Sequence, residues 1–391
     1  TCGIPEEHSQ NAWVAKRACQ ALRDHRSQRE DRPLFLWASW IAPHPPFAPC
    51  EPYDSLYDPA DMADPVYPER PLATLPSVTW THRARLDSAH RDPERIRRIR
   101  ALYAGQVTHV DHAIGQVLAQ LDALGMADDT AVLFVSDHGD MLGDHGLSQK
   151  NVPYEPSVRV PLILRWPGRT TPGTVRGDLV GLTDVLPTVL DELSIPYPEG
   201  LPPLPGASLL GNAGGGLAQP RTEYVIDYGR GRDRWLCLRS HSHKYTIWAD
   251  GNTEELYDLV TDPQELRNLA AQQPDLAKRF RARALAWEHE HGLHSSFEGD
   301  TFRTFAPPLV PDQEPRGVNL NEGAWQERLP LDEECEVETF AEAFTRAVAR
   351  ETTLTPDKLS LAAYKRQGGA SLADTPWETP WREARPARPG E

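Results

Sequence analysis

Apolar residues recur every three or four positions through Ile96, Ile99, Tyr103, Val107, Val110, Ile114, Val117, Leu121 and Leu124. That period predicts one long amphipathic helix, stopped by Gly125. Trp13-Val14, Ala18 and Ala21-Leu22 repeat the spacing more briefly and predict a first helix, its start marked by Pro5-Glu6-Glu7. Leu34 to Trp40 and Thr130 to Ser136 are continuous apolar runs too short for helices, so both read as buried strands. Val160 to Leu164 reads as another strand, and Asp184 to Leu193 as a helix with Thr183 at its N-cap. A long helix feeding a continuously apolar strand predicts an α/β fold with a mostly parallel sheet flanked by helices.

The pattern changes after about residue 195. Proline and glycine crowd residues 196 to 216, a linker-like stretch. Tyr224-Val225-Ile226, Trp235 to Leu238 and Tyr245 to Trp248 then predict a small antiparallel sheet, closed by a helix from Pro274 to His289. Beyond residue 295 a Pro/Trp-rich extension carries two predicted helices, Val337 to Ala349 and Pro356 to Arg366, the second capped by Thr355. The expected division is a catalytic α/β portion over 1–205, an α+β subdomain over 206–294 and the extension over 295–391.

Composition removes several function classes. Lys+Arg 41 against Asp+Glu 57 leaves a formal charge of −16, which argues against a nucleic-acid partner. No apolar run approaches the roughly 20 residues of a membrane helix. Five scattered cysteines without CxxC spacing suggest neither a disulfide framework nor a zinc site, and the absence of that framework favours the cytoplasm. The extension past residue 295 is a candidate cover for a neighbouring subunit in a homo-oligomer or for the active-site mouth.

Candidate chemistry concentrates in Ser136-Asp137-His138-Gly139-Asp140-Met141-Leu142-Gly143, directly after a predicted strand. In open α/β sheets, ligands bind beyond the carboxyl ends of the strands. Asp137 offers a hard anionic oxygen and His138 an imidazole nitrogen, a pair suited to a divalent cation; the same dipeptide also serves ordinary turns. Lys150 could neutralise an oxyanion, and His44, in the proline-rich loop Pro43 to Phe47, could protonate a leaving oxygen.

Taken together, these stretches resemble the sulfatase family of the alkaline-phosphatase-like superfamily. The resemblance is carried in order by Gly3 to Glu7 with Trp13, Ala42 to Phe47, Tyr103 to Asp111, Ser136 to Gly143, Lys150 and Arg159 to Ile163. Glu255 to Leu259, Asp262-Pro263 and Asn268-Leu269 complete it, so it covers roughly residues 1 to 290.

The resemblance implies an alkaline-phosphatase-like fold and metal-dependent hydrolysis of a small-molecule sulfate ester. Asp137 and His138 would ligate the metal, Ca²⁺ foremost, with Mn²⁺ or Mg²⁺ as alternatives. Lys150 would bind a sulfate oxygen, and His44 would contact the ester oxygen and assist the leaving group. His138 stands where arylsulfatases often carry Asn, as in the branch holding phosphonate monoester hydrolases and choline-sulfatase-like enzymes. Asp144 and His145 lie in the same loop but are not expected to make direct contact, and His109 and Asp111 are expected to serve the packing of their helix.

The family's nucleophile is a formylglycine made from Cys or Ser in Cys/Ser-x-Pro-x-Arg, and no such motif occurs here. Cys19-Gln20-Ala21-Leu22-Arg23 lacks the proline, and Cys50-Glu51-Pro52-Tyr53-Asp54 lacks the arginine. The family's N-terminal acidic pair is missing as well. Because the sequence opens at Thr1 with no signal-like segment, both elements are expected upstream, and these residues alone are expected to be inactive. A phosphonate monoester or phosphodiester hydrolase, or a non-catalytic homologue, are the alternatives.

Overall fold

In a computed structural model of the chain, residues 4–28, 32–68, 92–211, 215–229, 231–292, 297–299 and 301–303 are described. All lie within one compact unit, Thr1–Pro315. The predicted helices at 337–349 and 356–366 lie outside the described residues.

Helix α1 spans Gln10–Ser27 and is capped by Ser9, whose hydroxyl accepts from the Ala12 amide at 3.1 Å. Pro5-Glu6-Glu7 therefore does not start it; Glu6–His8 form a separate 3₁₀ turn. Helix α2 spans Pro93–Ala123, with Asp92 as its cap and Gly125 left-handed just past its end (φ 64°). Ala15, Ala18, Cys19 and Leu22 of α1 pack on Ala113, Val117 and Leu121 of α2, while Trp13 points to solvent.

After α2 come β1 (Val132–Val135), the short helix α3 (Glu155–Val158) and β2 (Leu162–Arg165). The pairing corrects one expectation: β1 and β2 run antiparallel, with Phe134 opposite Ile163. Neither is a buried strand, since Phe134 is 36% and Ile163 61% exposed. The run from Leu34 to Trp40 is not a strand at all. It is extended, and among the described residues 33–39 make no backbone–backbone hydrogen bond. Its apolar character predicts burial, yet Phe35 and Trp37 are 76% and 80% exposed.

Helix α4 spans Val185–Glu192 behind a 3₁₀ turn, and Thr183 does not cap it. The Thr183 hydroxyl bonds to the Tyr224 hydroxyl at 2.7 Å. The fully buried Asp184 organises the turn instead, accepting from the amides of Gly181 and Ala207 and from Arg221.

Strands β3 (Glu223–Tyr228), β4 (Trp235–Ser240), β5 (His243–Trp248) and β6 (Thr253–Asp258) form one antiparallel sheet in sequence order. Helix α5, Pro274–His291, covers it, followed by the short β7 (Phe297–Glu298) and β8 (Thr301–Phe302). Side chains alternate across a strand, so each strand serves two cores. Leu236, Leu238, Tyr245, Ile247 and Leu256 face α5 through Ala277, Phe280, Ala284 and Leu285. Trp235, Cys237, Trp248 and Tyr257 face the other way, against Met141, Leu147, Val152 and Tyr154. Burial on both faces explains why Trp235 to Leu238 of β4 read as an unbroken apolar run rather than an alternating one.

Candidate active site

The loop leaving β1 holds the Asp-His pair and is anchored along its length. Met141 and Leu147 are its apolar pins in the sheet's second core. The Gly139 amide donates to Ser157 O at 2.8 Å, and a side chain there would meet Pro156 O at 2.0 Å, so only glycine fits. Gly143, at φ 93°, lies against Ile96 of α2. Four non-glycine residues, Leu142, His145, Gln149 and Asn151, also hold positive φ in this stretch. Such strain persists where surrounding contacts over-determine it, and it clusters at functional sites.

Asp140 is the loop's polar hub, and it was not singled out from the sequence as a functional residue. Its Oδ1 accepts from the amides of Leu142 and Gln149, both at 3.0 Å. The first is an Asx turn, a local signal visible in Asp-x-Leu. Burial pushes the Asp140 carboxyl above its ordinary value, against the pull of those amides and of nearby Lys150 and His138. Asp140 thus lies within electrostatic reach of both the lysine and the histidine.

The structure brings His44 and Lys150 together across 106 residues, with Lys150 Nζ 3.0 Å from His44 Nε2. His44 Nδ1 lies 2.7 Å from Pro45 O, a carbonyl that can only accept. Nδ1 therefore carries the proton, and Nε2 accepts from the lysine ammonium. Gln106 of α2 donates to Pro46 O at 2.9 Å, and Phe47 packs edge-on to Tyr103, centroids 5.6 Å apart. The long helix thereby holds the His44 loop. On the other side, Trp235 Nε1 donates to Asn151 O at 3.0 Å and steadies the residue after Lys150.

Asp137 and His138 stay open to solvent, at 81% and 35% side-chain exposure. Asp137 Oδ1 caps the His138 amide at 2.9 Å, and Oδ2 is 3.3 Å from His138 Nε2. Their donors suit a hard divalent cation. Among the described residues, however, no three His, Cys, Asp or Glu side chains converge to hold one. The pair fits part of a metal shell and not the whole.

Asp144, His145 and His109 are held in structural contacts. Asp144 accepts from Arg100 at 2.8 Å and from the Val66 amide at 2.9 Å, and His145 reaches Gln264 O at 2.8 Å while packing on Tyr154. His109 stacks on Tyr53 at 4.3 Å, near Ser9 and Cys50, whereas Asp111, expected to serve packing, is exposed. Cys19 is buried in α1, its thiol pushed up by burial, which agrees with reading its near-motif as coincidence.

Comparison with known proteins now bears on this arrangement. The sulfatase family profile matches residues 9–195, and the profile described as N-sulphoglucosamine sulphohydrolase, C-terminal, matches 143–285. The chain belongs to the sulfatase family. An arylsulfatase of Clostridium perfringens is 30% identical over 284 residues, 68% of this chain and 55% of the relative. A choline-sulfatase of Rhizobium meliloti is 31% identical over 264 residues, 66% of this chain and 50% of the relative. The chain thus spans about half the length of these curated relatives. Among solved structures, the phosphonate monoester hydrolase of Agrobacterium radiobacter superposes with a TM-score of 0.63 at 23% identity, over 78% of this chain and 66% of that one. This sulfatase-family chain accordingly has the expected alkaline-phosphatase-like α/β fold. No described helix is long and apolar enough to cross a membrane.

Proposed function

We propose that these residues form the oxyanion-binding and leaving-group side of a sulfuric ester hydrolase active site. One observation carries this reading: Lys150 and His44, distant in sequence, meet at 3.0 Å beside the loop that bears Asp137 and His138. The first portion of the chain, 1–205, supplies all four side chains, and the β3–β6 sheet of 206–294 mounts the loop that holds three of them.

Lys150 donates its remaining N–H bonds to a sulfate oxygen, a compact point charge facing an anion. His44 keeps its Nδ1–H on Pro45 O, so Nε2, which accepts from Lys150 in this structure, is the position that would exchange that bond for the ester oxygen, taking a proton there and delivering it once protonated. Asp140 fixes the loop backbone between these groups. Asp137 and His138 supply two ligands of a divalent metal, Ca²⁺ foremost, which when bound would polarise the sulfuryl oxygens as a Lewis acid. No Cys/Ser-x-Pro-x-Arg occurs in residues 1–391 and no third metal ligand among the described ones, so this reading requires that a formylglycine and further ligands be supplied to the site; a small sulfate ester is the substrate.

Residues 1–391 alone are expected not to turn over an aryl sulfate; turnover abolished by Lys150→Ala would refute that. When the nucleophile segment is supplied, Asp137→Ala is expected to abolish metal-dependent hydrolysis, and unchanged activity would remove the metal assignment. His138 in place of Asn favours a second reading, a phosphonate monoester or phosphodiester hydrolase. Sulfate and phosphoryl esters share tetrahedral oxyanion geometry, so paired kcat/KM values on aryl sulfate and aryl phosphonate esters separate the two.

A further inference from the structure

Asp262-Pro263 and Asn268-Leu269 take no part in the proposed chemistry, yet they bound a turn that is fixed at many points. Asp262 accepts from the amides of Leu266 and Arg267 at 3.1 and 2.9 Å, and the Glu265 amide donates back to Asp262 O. Asn268 ties the turn to β6, its Oδ1 accepting from the Leu256 amide and its Nδ2 donating to Glu254 O. Glu265 holds a left-handed φ of 58° here, which a non-glycine residue keeps only where its surroundings dictate it.

This turn reaches the site loop at two points. Gln264 O accepts from His145 Nε2 at 2.8 Å, and Glu265 Oε2 accepts from the Glu155 amide, the first of α3, at 2.7 Å. Lys150 lies midway between His145 and Glu155 in the chain. The Tyr154 side chain does not cap α3, so the capping oxygen comes from across the fold. Glu265 is wholly buried, and its Oε1 lies 2.9 Å from the ammonium of Lys244 in β5. That lysine is buried as well and donates to Glu155 Oε1 at 3.0 Å. A buried ion pair adds little stability over an apolar pair of similar volume, so what this one supplies is a fixed carboxylate oxygen.

We propose that Glu265, held by Lys244, is a positioning residue that clips the site loop to the β3–β6 sheet and so sets the Lys150 ammonium against His44. Lys150 sits between Gln149 and Asn151, at φ 63° and 75°, a left-handed backbone that depends on contacts beyond itself. The consequence for the reaction rests on the reading of Lys150 as a sulfate-oxygen ligand, whereas the clip is measurable on residues 1–391 directly.

The test compares residues 1–391 with Glu265→Leu, with Lys244→Met/Glu265→Leu, and with Glu265→Gln, which keeps an oxygen for the Glu155 amide. Hydrogen exchange is followed at 141–149 and in β4 and β5. Nitrogen NMR follows His44 Nε2, assigned by its loss in His44→Gln. Both Leu variants are expected to speed exchange at 141–149 at least about tenfold while β4 and β5 keep the parental protection. In both, the His44 Nε2 signal is expected to take the position it has in Lys150→Ala, and Glu265→Gln to retain the parental exchange and signal. A folded Leu variant with parental exchange at 141–149, or with a parental His44 signal, would overturn the proposal. Exchange that speeds equally in β4 and β5, or loss of folding in both Leu variants, would make the pair a support of the fold alone and overturn it too. Lys150→Ala turning over substrate at the parental rate would remove the catalytic reading and leave these signals as they are, so the two failures are told apart.

Discussion

Leu236 and Leu256, at the centre of the four-stranded sheet, are wholly buried, whereas Phe134 and Ile163, cross-strand neighbours in the two-stranded one, stand 36% and 61% exposed. Both sheets carry large apolar side chains on their strands. They differ in what lies against them. The first has α5 on one face and the Met141–Tyr154 stretch on the other. The second, with the extended run beside it, leaves large apolar side chains in water. The candidate site sits at the junction: its loop leaves the open sheet but is pinned into the core of the closed one. An active-site loop can therefore be well placed even where the layer it departs from is bare.

The comparison breaks first at charges buried within the closed unit. Arg234 and Glu288 pair at 1% and 2% exposure, with Asp227 as a second, more exposed partner of the arginine. Glu288→Ala is expected to cost about 3 kcal/mol or more, read by urea unfolding, because it leaves the guanidinium buried and half-paired. Next, Leu256→Ala removes a side chain from the sheet–helix core and should cost about 2–5 kcal/mol. A loss under about 1 kcal/mol would mean that this core is not tightly packed.

A smaller effect sharpens the picture at the α1/α2 contact. Burial holds the His109 imidazole below its ordinary 6.5, with Glu6 opposing and His112 reinforcing the shift. The folded state then binds fewer protons than the unfolded chain, so the contribution is neutral above about pH 6.5 and becomes destabilising as pH falls through that value. Tm is expected to fall between pH 7.5 and 5.5, and His109→Gln to flatten that fall. An unchanged slope in the variant would show that His109 titrates as freely as in the unfolded chain. Smallest of all, Ile163→Ala in the open sheet should change stability by no more than about 0.5 kcal/mol. A cost comparable to Leu256→Ala would show that this face is covered in solution.

Most of the architecture was legible because helices and doubly buried strands announce themselves by period and by continuity. The long helix, the antiparallel sheet and its closing helix all follow from such patterns, within a few residues. The errors share one physical source. An apolar run reports what a segment is suited to pack against, not whether the partner is present, so Leu34–Trp40 was read as a buried strand. Strand direction was likewise invisible, since Val132–Val135 and Leu162–Arg165 look the same in either sense. At the site, His44 and Lys150 could be paired only through family resemblance, because nothing in their spacing says that 106 residues close to 3.0 Å. Asp140 carries no functional signal of its own in the sequence, although its Asx turn is written in the local residues.

The central claim, that Lys150 and His44 form the sulfate-binding side of the site, is tested most directly by aryl sulfate turnover when residues 1–391 are joined to the nucleophile-bearing segment of a sulfatase-family relative. Parent, Lys150→Ala and the exposed control Lys278→Ala are compared by kcat/KM. The account predicts turnover by the parent and the control, and a loss of about 10²–10³-fold in Lys150→Ala, the scale of removing one donor to a developing oxyanion. A parent without turnover, or a Lys150→Ala enzyme as fast as the control, would contradict it.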